Sequence, residues 1–305
     1  MTPAVQLESV TKRFGQHTAV DAVSLTVPTG SIYGFIGPNG SGKTTTLRMI
    51  MRILHPDEGH VRVLGEERLG AAHDRVGYLP EERGLYKQMK VRELLRFYAE
   101  LKGYRHPAAA IAHWLERLEL SAWANKRVEA LSKGMAQKVQ FIAAVIAHPD
   151  LVLLDEPFSG LDPVNAVVLR EAVLALKREG RTVIFSTHDM SVAEKMCDAI
   201  FMIHKGKKVL DGTLEQIQDA YGSDTVRVRL GDGQNGDWSG LPGVEQVTNL
   251  GHFKELRLRA GHDPQEVLRA LLPWGPVRHF ELARPSLHDI FLRIVGAAEG
   301  EAVGR

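Results

Sequence analysis

The chain lacks most features that would set it apart from ordinary globular proteins. Its single cysteine, Cys197, excludes an intramolecular disulfide framework and a cysteine-rich zinc site. Because 38 basic residues are balanced by 37 acidic ones, no broad cationic surface is indicated, and we expect no nucleic-acid partner. Hydrophobic residues make up 44% of the sequence and charged residues 25%, which is typical of a folded protein rather than a disordered one.

Long hydrophobic runs are also absent. The longest, near residues 141–147, is far shorter than the roughly 20 residues that a bilayer-spanning helix needs. The N-terminus has no basic start followed by an apolar run, so a secretory signal is not indicated. We therefore expect a cytoplasmic protein that reaches a membrane only through a partner.

The first part of the chain combines strands with a helix. A length of 305 residues predicts about two domains. Apolar residues recur at helical spacing over 44–54, up to the stop at His55-Pro56, and so predict a helix. Short runs rich in β-branched residues and bounded by Gly or Pro predict strands at 5–14, 24–27, 31–36 and 60–64.

The middle of the chain is predicted to be helical at first and then to alternate between strands and helices. Helical spacing over 91–147 predicts a helical insertion, which we assign to residues 84–147. Nearly continuous apolar runs at 151–154 and 182–186 predict parallel strands buried on both faces, and residues 164–179 predict the helix that joins them. The alternation predicts an α/β fold with a mostly parallel, doubly wound sheet.

The composition changes after residue 217, where turn-forming residues occur at 221–222 and 231–240. We place a boundary there, which gives a first domain of residues 1–219 and a small C-terminal α+β domain of residues 220–305. The patterns in this second part predict strands at 225–230 and 255–259 and helices at 264–272 and 285–295.

A glycine-rich segment between a predicted strand and a predicted helix matches the phosphate-loop pattern G-x-x-x-x-G-K-T. Glycines let backbone N–H groups surround phosphates, and the helix N-terminus adds a positive dipole. Lys43 is expected to meet the β- and γ-phosphates, and Thr44 to offer a hydroxyl to Mg²⁺. The alternative is a glycine-rich turn without a ligand. The predicted nucleotide-binding residues here are Gly37, Pro38, Asn39, Gly40, Ser41, Gly42, Lys43, Thr44 and Thr45.

Two adjacent carboxylates, Asp155 and Glu156, follow the apolar run 151–154 at the sheet edge where open α/β folds bind ligands. We predict that Asp155 holds Mg²⁺ and that Glu156 orients or deprotonates the attacking water, which implies hydrolysis. A helix start with Pro157 in its first turn would explain the same pair structurally. The lysine of the phosphate loop favours the catalytic interpretation.

A second candidate anion site begins at Ser132, a capping-type serine followed by Gly134 and an apolar helical face. Taken alone, a serine at this position is more often structural than functional. Its place in the order of the other motifs gives it more weight.

In this order, the motifs resemble the nucleotide-binding subunit of an ATP-binding cassette (ABC) transporter over about residues 6–219. The resemblance implies that Phe14 stacks on adenine, that Ser132 and Gly134 belong to the signature loop, and that His188 contacts the γ-phosphate. From the residues alone, Phe14 could also be an edge-strand packing residue, although stacking is favoured. His188 alone would be a strand-end histidine with a structural hydrogen bond.

The same resemblance implies a fold, a cofactor and partners. The fold would be that of a P-loop NTPase, with a mostly parallel sheet, an antiparallel β subdomain, a helical insertion and a small C-terminal α+β domain. Two copies would close head to tail, with each ATP between the phosphate loop of one chain and residues 132–134 of the other. The subunit would hydrolyse Mg-ATP to power a separate integral membrane permease, at the inner face of the cell membrane.

Some residues depart from the family pattern. Glu81 stands where the family usually has glutamine; we predict that it still takes part in catalysis and in Mg²⁺ binding, although its charge adds repulsion toward phosphate. Lys133 and Met135 replace a glycine and a glutamine of the signature. Residues 284–292 resemble the C-terminal extension of exporter ATPases for sodium, drugs or antibiotics, which favours export of an ion, a drug or another small molecule.

Two other functions fit part of this pattern. A soluble ABC-type ATPase that acts on nucleic acid or ribosomes shares the motifs, but such proteins usually carry coiled-coil insertions, zinc cysteines or two cassettes, which this sequence lacks. A nucleotide sensor without turnover would fit Glu81 and the altered signature. The presence of Glu156 and His188 argues against that second alternative.

Overall fold

The computed structural model describes residues 2–67, 74–82, 84–221, 225–231, 236–259 and 261–303, with side chains as far as residue 295. The turn predicted at Gly222 and the central part of the predicted turn segment, residues 232–235, lie outside the described residues. The chain forms two compact units, Met1–Leu214 and Glu215–Arg305, which are treated separately below.

The first unit alternates strands and helices. Its helices are α1 (Lys43–Ile50), α2 (Val91–Leu101), α3 (Ala108–Arg117), α4 (Lys133–Val145), α5 (Pro163–Arg178) and α6 (Met190–Met196). Its strands are β1 (Val5–Phe14), β2 (His17–Val27), β3 (Ile32–Ile36), β4 (Glu58–Val63), β5 (Val76–Leu79), β6 (Leu151–Asp155), β7 (Thr182–Thr187), β8 (Ala199–His204) and β9 (Lys207–Thr213).

These strands form two sheets. The larger has six strands in the order β5-β6-β7-β3-β8-β9 and is parallel except where β9 pairs with β8. The smaller is the antiparallel sheet β2-β1-β4. Strand β6 is buried on both faces: Leu151 and Leu153 pack in a core with β1, β2, β4 and α1, whereas Val152 and Leu154 pack with α2–α5. The predicted α/β architecture with an antiparallel subdomain and a helical insertion is confirmed.

Several element limits differ from those predicted. The helix expected over 44–54 ends at Ile50. Two residues later Arg52 adopts a left-handed φ of 58°, which a right-handed helix cannot include. Strand β2 begins at His17, well before the predicted start at residue 24. Strands β5, β8 and β9 are not indicated by the sequence pattern, since short apolar runs do not distinguish strand from helix.

The second unit is an α+β structure, as expected. Its four antiparallel strands are ordered β11-β12-β10-β13, and Val226, Val228, Leu256 and Leu258 share a core with Val267 and Leu271. Its elements are α7 (Leu214–Ala220), which begins at the junction of the units, β10 (Thr225–Leu230), β11 (Val244–Asn249), β12 (Lys254–Leu258), α8 (Pro264–Leu271), β13 (Val277–Ala283) and α9 (Leu287–Val303). Within the described residues, no helix combines the length and apolar character needed to cross a membrane.

One glycine allows the helical insertion to approach the large sheet in the first unit. A Cβ atom added to Gly77 of β5 would lie 2.1 Å from the carbonyl oxygen of Ala144 and 3.0 Å from Cγ of Pro149. The backbone of β5 therefore lies directly against the end of α4. This contact fixes where the segment after β5, which carries Glu81, leaves the sheet.

We expect Gly77→Ala to destabilise the protein because the new methyl group meets backbone rather than a movable side chain. Overpacking of this kind typically costs about 1–3 kcal/mol, and each kcal/mol lowers the Tm of a domain of this size by roughly 2–4 °C. The measurement is thermal denaturation. Gly84→Ala is the matched control, since no atom lies within 4 Å of a Cβ at that position. Equal Tm values for the two variants would contradict the packing described.

Candidate nucleotide-binding site

Three chain segments meet at one edge of the large sheet. Strand β3 leads into residues 37–42, which turn into α1, and β6 ends at Asp155. Strand β7 lies between β3 and β6, and its register pairs Thr187 with Ile36 and Ser186 with Asp155. The glycine-rich segment and the two carboxylates therefore lie at the same carboxyl edge, where open α/β sheets place their ligands.

The glycine-rich segment requires glycine at specific positions. Gly37, Gly40 and Gly42 have φ values of 156°, 75° and 113°, in the region that favours glycine. A Cβ atom would lie 2.2 Å from the carbonyl oxygen of Ile203 at Gly37 and 2.5 Å from that of Ala19 at Gly42. Among the residues that the structure describes, no side chain caps the N-terminus of α1, so its first amides have no side-chain acceptor. Such a terminus suits an anion.

Lys43 extends back across this segment. Its Nζ donates hydrogen bonds to the carbonyl oxygens of Gly37 at 2.7 Å and Pro38 at 3.2 Å. The same Nζ lies 3.5 Å from Oε1 of Glu156, and the two side chains are only 6% and 9% exposed. The ammonium group is thus held inside the cleft beside a buried carboxylate, where its charge is less screened than on the surface.

Asp155 is fully buried and has donors on one oxygen only. Its Oδ1 accepts hydrogen bonds from Thr44 Oγ1 at 3.1 Å and from Ser186 Oγ at 2.5 Å. Its Oδ2 is buried with no hydrogen-bond partner among the described residues. Mg²⁺ prefers oxygen ligands and is usually held by one or two carboxylates together with substrate phosphates. A hydroxyl and a carboxylate with one unpaired oxygen fit this ion.

Glu156 leaves strand β6 in a left-handed conformation, with a φ of 49°. Its carboxylate lies between two other functional groups. On one side is Lys43, and on the other Nδ1 of His188 lies 3.1 Å from each carboxylate oxygen. The imidazole is half exposed at 53%, whereas Glu156 is buried. A carboxylate held in this way can accept a proton from a water molecule in the cleft.

Lys43, Thr44 and Glu156 line a cleft of about 460 Å³, whereas Asp155 and His188 are not among its lining residues. Phe14 also lines it and is 48% exposed. Nζ of Lys12 lies over one face of its ring, 5.7 Å from the centroid. The cleft brings together most of the residues predicted from the sequence. Its lining comprises Phe14, His17, Ala19, Asn39, Gly40, Ser41, Gly42, Lys43, Thr44, Thr45, Glu81 and Glu156.

The two predicted signature residues do not line this cleft. Ser132 caps α4, and its Oγ accepts a hydrogen bond from the N–H of Met135 at 3.2 Å. Gly134 is buried against the start of α5, where a Cβ would lie 3.3 Å from Nδ2 of Asn165. Ser132 and Lys133 are exposed. Within one chain, the two predicted signature residues therefore lie outside the cleft, and of the two only Ser132 is exposed.

A residue that holds the site together, Ser186, was not predicted from the sequence. Ser186 Oγ donates to Asp155 and also accepts the backbone N–H of Glu156 at 2.9 Å, so it holds both carboxylate residues in place. The sequence signal for Ser186 is its position, because it carries a hydroxyl near the end of a buried parallel strand. That strand lies next to the strand that ends in Asp155.

The fold and this cleft define a phosphate-loop nucleotide-binding protein. A family model described as "ABC transporter" matches residues 20–159, and one described as "ATP-binding protein DrrA1-3-like, C-terminal domain" matches residues 212–295. Among solved structures, the ATP-binding subunit of an ABC transporter is similar with a TM-score of 0.67 and 28% identity, covering 72% of this chain and 93% of that one.

Sequence relatives extend this comparison over nearly the whole chain. The uncharacterized ABC transporter ATP-binding protein YhaQ of Bacillus subtilis is 42% identical, over 95% of this chain and 98% of that protein. Nod factor export ATP-binding protein I of Cupriavidus metallidurans is 34% identical, over 97% of this chain and 98% of that protein. The chain therefore belongs to the ABC transporter ATP-binding proteins, a family that hydrolyses ATP to power transport through a membrane permease.

We expect Ser186→Ala to destabilise the first unit, because it leaves the buried N–H of Glu156 without its acceptor and removes a donor from Asp155. The loss of such a partner costs about 1–3 kcal/mol. The measurement is the free energy of unfolding from a urea titration.

Ser24→Ala is the matched control, since Ser24 Oγ also accepts a backbone N–H, that of Ser9, but at an exposed position. There water replaces the hydroxyl, and we expect a change within about 0.5 kcal/mol. If Ser186→Ala were no more destabilising than this control, the bridging role of Ser186 would be wrong.

Proposed function

We propose that this chain hydrolyses Mg-ATP in the cleft beside Lys43 and that it does so as one half of a head-to-tail pair of nucleotide-binding subunits. The observation that carries the proposal is that Lys43 and Thr44, at the start of α1, meet Glu156 and Asp155, at the end of β6. Lys43, Thr44 and Glu156 line one cleft. A cation, a metal-binding carboxylate and a basic carboxylate are the groups that ATP hydrolysis requires.

In this proposal, residues 37–45 hold the phosphates. The backbone N–H groups of the loop and of α1 bind phosphate oxygens, and Lys43 exchanges its contacts with the carbonyls of Gly37 and Pro38 for the β- and γ-phosphates. Thr44 and Asp155 would hold Mg²⁺, with Glu81 facing the same cleft. When bound, the ion supplies neutralisation of the charge on the phosphates.

Glu156 is proposed as the catalytic base. It takes a proton from water as the water oxygen bonds to the γ-phosphorus and the bond from that phosphorus to the β-bridging oxygen breaks, which yields ADP and phosphate. His188, beside both oxygens of Glu156, is proposed to orient this carboxylate and to contact the γ-phosphate. Phe14 at the cleft mouth stacks on the adenine ring.

Dimerisation is proposed because Ser132 and Gly134 lie outside the cleft of their own chain. Ser132 is exposed at the N-terminus of α4, a position suited to a phosphate brought by another molecule. In a head-to-tail pair, each of these surfaces would close the nucleotide cleft of the partner copy. Contacts that exist only with the γ-phosphate then make closure depend on ATP.

We further propose that the permease is an exporter and that residues 220–305 form an accessory domain. Support comes from the relatives named for Nod factor export and from the DrrA1-3-like match over residues 212–295. The substrate would be an ion, a drug or another small molecule. The subunit would lie at the cytoplasmic face of the membrane, and the balanced charge of the chain argues against a nucleic-acid partner.

The transporter function is tested by affinity capture. Tagged Glu156→Gln protein is incubated with detergent-solubilised native membranes and ATP, and the recovered proteins are identified by mass spectrometry. The expected result is one polytopic membrane protein in near-equal amount. Recovery of ribosomal or DNA-bound proteins alone would contradict the permease partner and favour a soluble ABC-type ATPase.

Lys43→Ala should weaken ATP binding, because the phosphates lose a charge-assisted hydrogen bond in a buried setting. Such bonds contribute about 1.5–3 kcal/mol, so we expect an increase in Kd of roughly 10- to 100-fold in titration calorimetry. Lys195→Ala, which removes an exposed lysine of α6, is the control. An unchanged Kd for Lys43→Ala would rule out the proposed phosphate contact.

Glu156→Gln should bind ATP but hydrolyse it at least about 100-fold more slowly, because the amide keeps the shape of the carboxylate without its basicity. The ATP-bound protein should then accumulate as a dimer, seen by light scattering after size exclusion. Glu171→Gln, at an exposed carboxylate of α5, should leave both properties unchanged. Wild-type turnover by Glu156→Gln would assign the base to another residue.

A further inference from the structure

The second unit contains a cavity of about 460 Å³ between one face of its sheet and helix α9, which we call the α9 cavity. Side chains alternate between the two faces of a sheet along each strand. Val226 and Leu256 face the apolar core that includes Val267 of α8, so their neighbours Arg227 and Glu255 face the opposite side. That opposite face is polar and forms one wall of the α9 cavity.

Two rows of cross-strand neighbours line this wall, and the charges of the first row neutralise each other. In this row, Glu255 of β12 lies between Arg227 of β10 and Thr248 of β11. Nε of Arg227 donates to Oε2 of Glu255 at 2.9 Å, and the Glu255 side chain is only 20% exposed. Both charges of this row are therefore used within the sheet.

The second row carries a charge that is not compensated. Arg257 of β12 lies between Thr225 of β10 and Gln246 of β11, neither of which is acidic. In the part of the chain that the structure describes, its guanidinium makes no hydrogen bond or ion pair. An arginine is always charged and carries several N–H donors. This row therefore offers the cavity a positive charge with unused donors.

The wall formed by α9 adds a second guanidinium. Arg293 is half-buried, and its Nη1 donates to the carbonyl oxygen of Tyr221 at 3.2 Å, which leaves its charge without a described carboxylate partner. Asp289 of the same wall accepts the N–H of Ser286 at 3.1 Å and also the Ser286 hydroxyl. This carboxylate thus caps α9 and forms no ion pair with Arg257 or Arg293. The cavity has an excess of positive charge.

The lining of the α9 cavity is not polar throughout. Leu250, just after β11, and Leu292 of α9 both line it and are 52% and 54% exposed. Covering apolar surface of this kind is favourable, because it removes that surface from water. A ligand that matches all of these groups has an anionic end and an apolar part.

We propose that the α9 cavity binds an amphipathic organic anion, a molecule with a carboxylate or phosphate group and an apolar part. Arg257 and Arg293 bind the anionic group, since the N–H donors of a guanidinium match two oxygens of a carboxylate or phosphate. Leu250 and Leu292 contact the apolar part. A volume of about 460 Å³ lies in the range of small-molecule sites. The site belongs to the second unit alone and is independent of ATP hydrolysis in the first.

The test is titration calorimetry of the full chain with three probes. Octanoate has both parts of the proposed ligand, acetate has only the anionic part, and 1-octanol has only the apolar part. The variant is Arg257→Gln, which removes the charge and keeps a polar side chain. Arg259→Gln is the matched control, because Arg259 is also exposed and lies two residues further along but does not line the cavity. The Tm of each protein is measured.

We expect octanoate to bind the wild type and Arg259→Gln equally, and acetate and 1-octanol to bind at least about tenfold more weakly. Arg257→Gln should raise the Kd for octanoate by at least about tenfold, the order expected for a lost charge-assisted hydrogen bond. Its Tm should stay near that of the wild type, because an exposed side chain without a partner is removed. Equal octanoate affinities of Arg257→Gln and Arg259→Gln would overturn the proposal.

A second variant tests the apolar part of the site and leaves both guanidinium groups in place. Leu292→Ser should reduce the preference for octanoate over acetate by at least about threefold, because less apolar surface is covered in the complex. Leu272→Ser is its control, since Leu272 is 59% exposed and does not line the cavity. An unchanged preference in Leu292→Ser would contradict an amphipathic ligand at this site.

A soluble anion and an anionic lipid share this chemistry, and flotation with vesicles distinguishes them. The wild type and Arg257→Gln are mixed with vesicles of phosphatidylglycerol, or of phosphatidylcholine as the control without net charge. Flotation of the wild type but not of Arg257→Gln with phosphatidylglycerol would assign the ligand to a lipid. Octanoate binding without flotation would assign it to a soluble anion. If octanoate does not bind and no flotation depends on Arg257, the proposal is wrong.

Discussion

The burial of two adjacent carboxylates at the end of β6 is the constraint on which the rest of the first unit depends. A buried carboxylate is unfavourable unless it is paired or hydrogen-bonded. Asp155 receives donors from Thr44 and Ser186, and Glu156 lies between Lys43 and His188. Lys43 and Thr44 belong to helix α1. Ser186 belongs to strand β7, and His188 follows directly after that strand. The order β6-β7-β3 is what brings them to one edge.

The parts of this arrangement that the sequence predicts are those encoded locally. The phosphate loop, residues 37–45, is a continuous motif, and Asp155 directly follows an apolar run that predicts a buried strand. Ser186 was not predicted because its role depends on the register of β7 against β6, which is a property of the folded sheet. Gln140 is similar: its sequence neighbours predict a buried helix face, but its partners, Pro80 and Glu82, are distant in the chain.

The placement of Glu81 explains why the segment after β5 matters. Gly77 seats β5 against α4, and Gln140 of the same helix holds the backbone on both sides of Glu81. Contacts from α4 therefore hold the backbone on either side of a residue that lines the nucleotide cleft.

We propose that the cleft of one chain is completed by Ser132 and Gly134 of a second copy. The decisive experiment mixes Lys43→Ala protein, which keeps Ser132 and Gly134, with Ser132→Ala protein, which keeps its phosphate loop. Each variant alone should be inactive, but a head-to-tail pair of the two contains one cleft with both parts intact. The account predicts that ATP hydrolysis reappears on mixing. No activity in the mixture, at concentrations where the wild type is active, would contradict it.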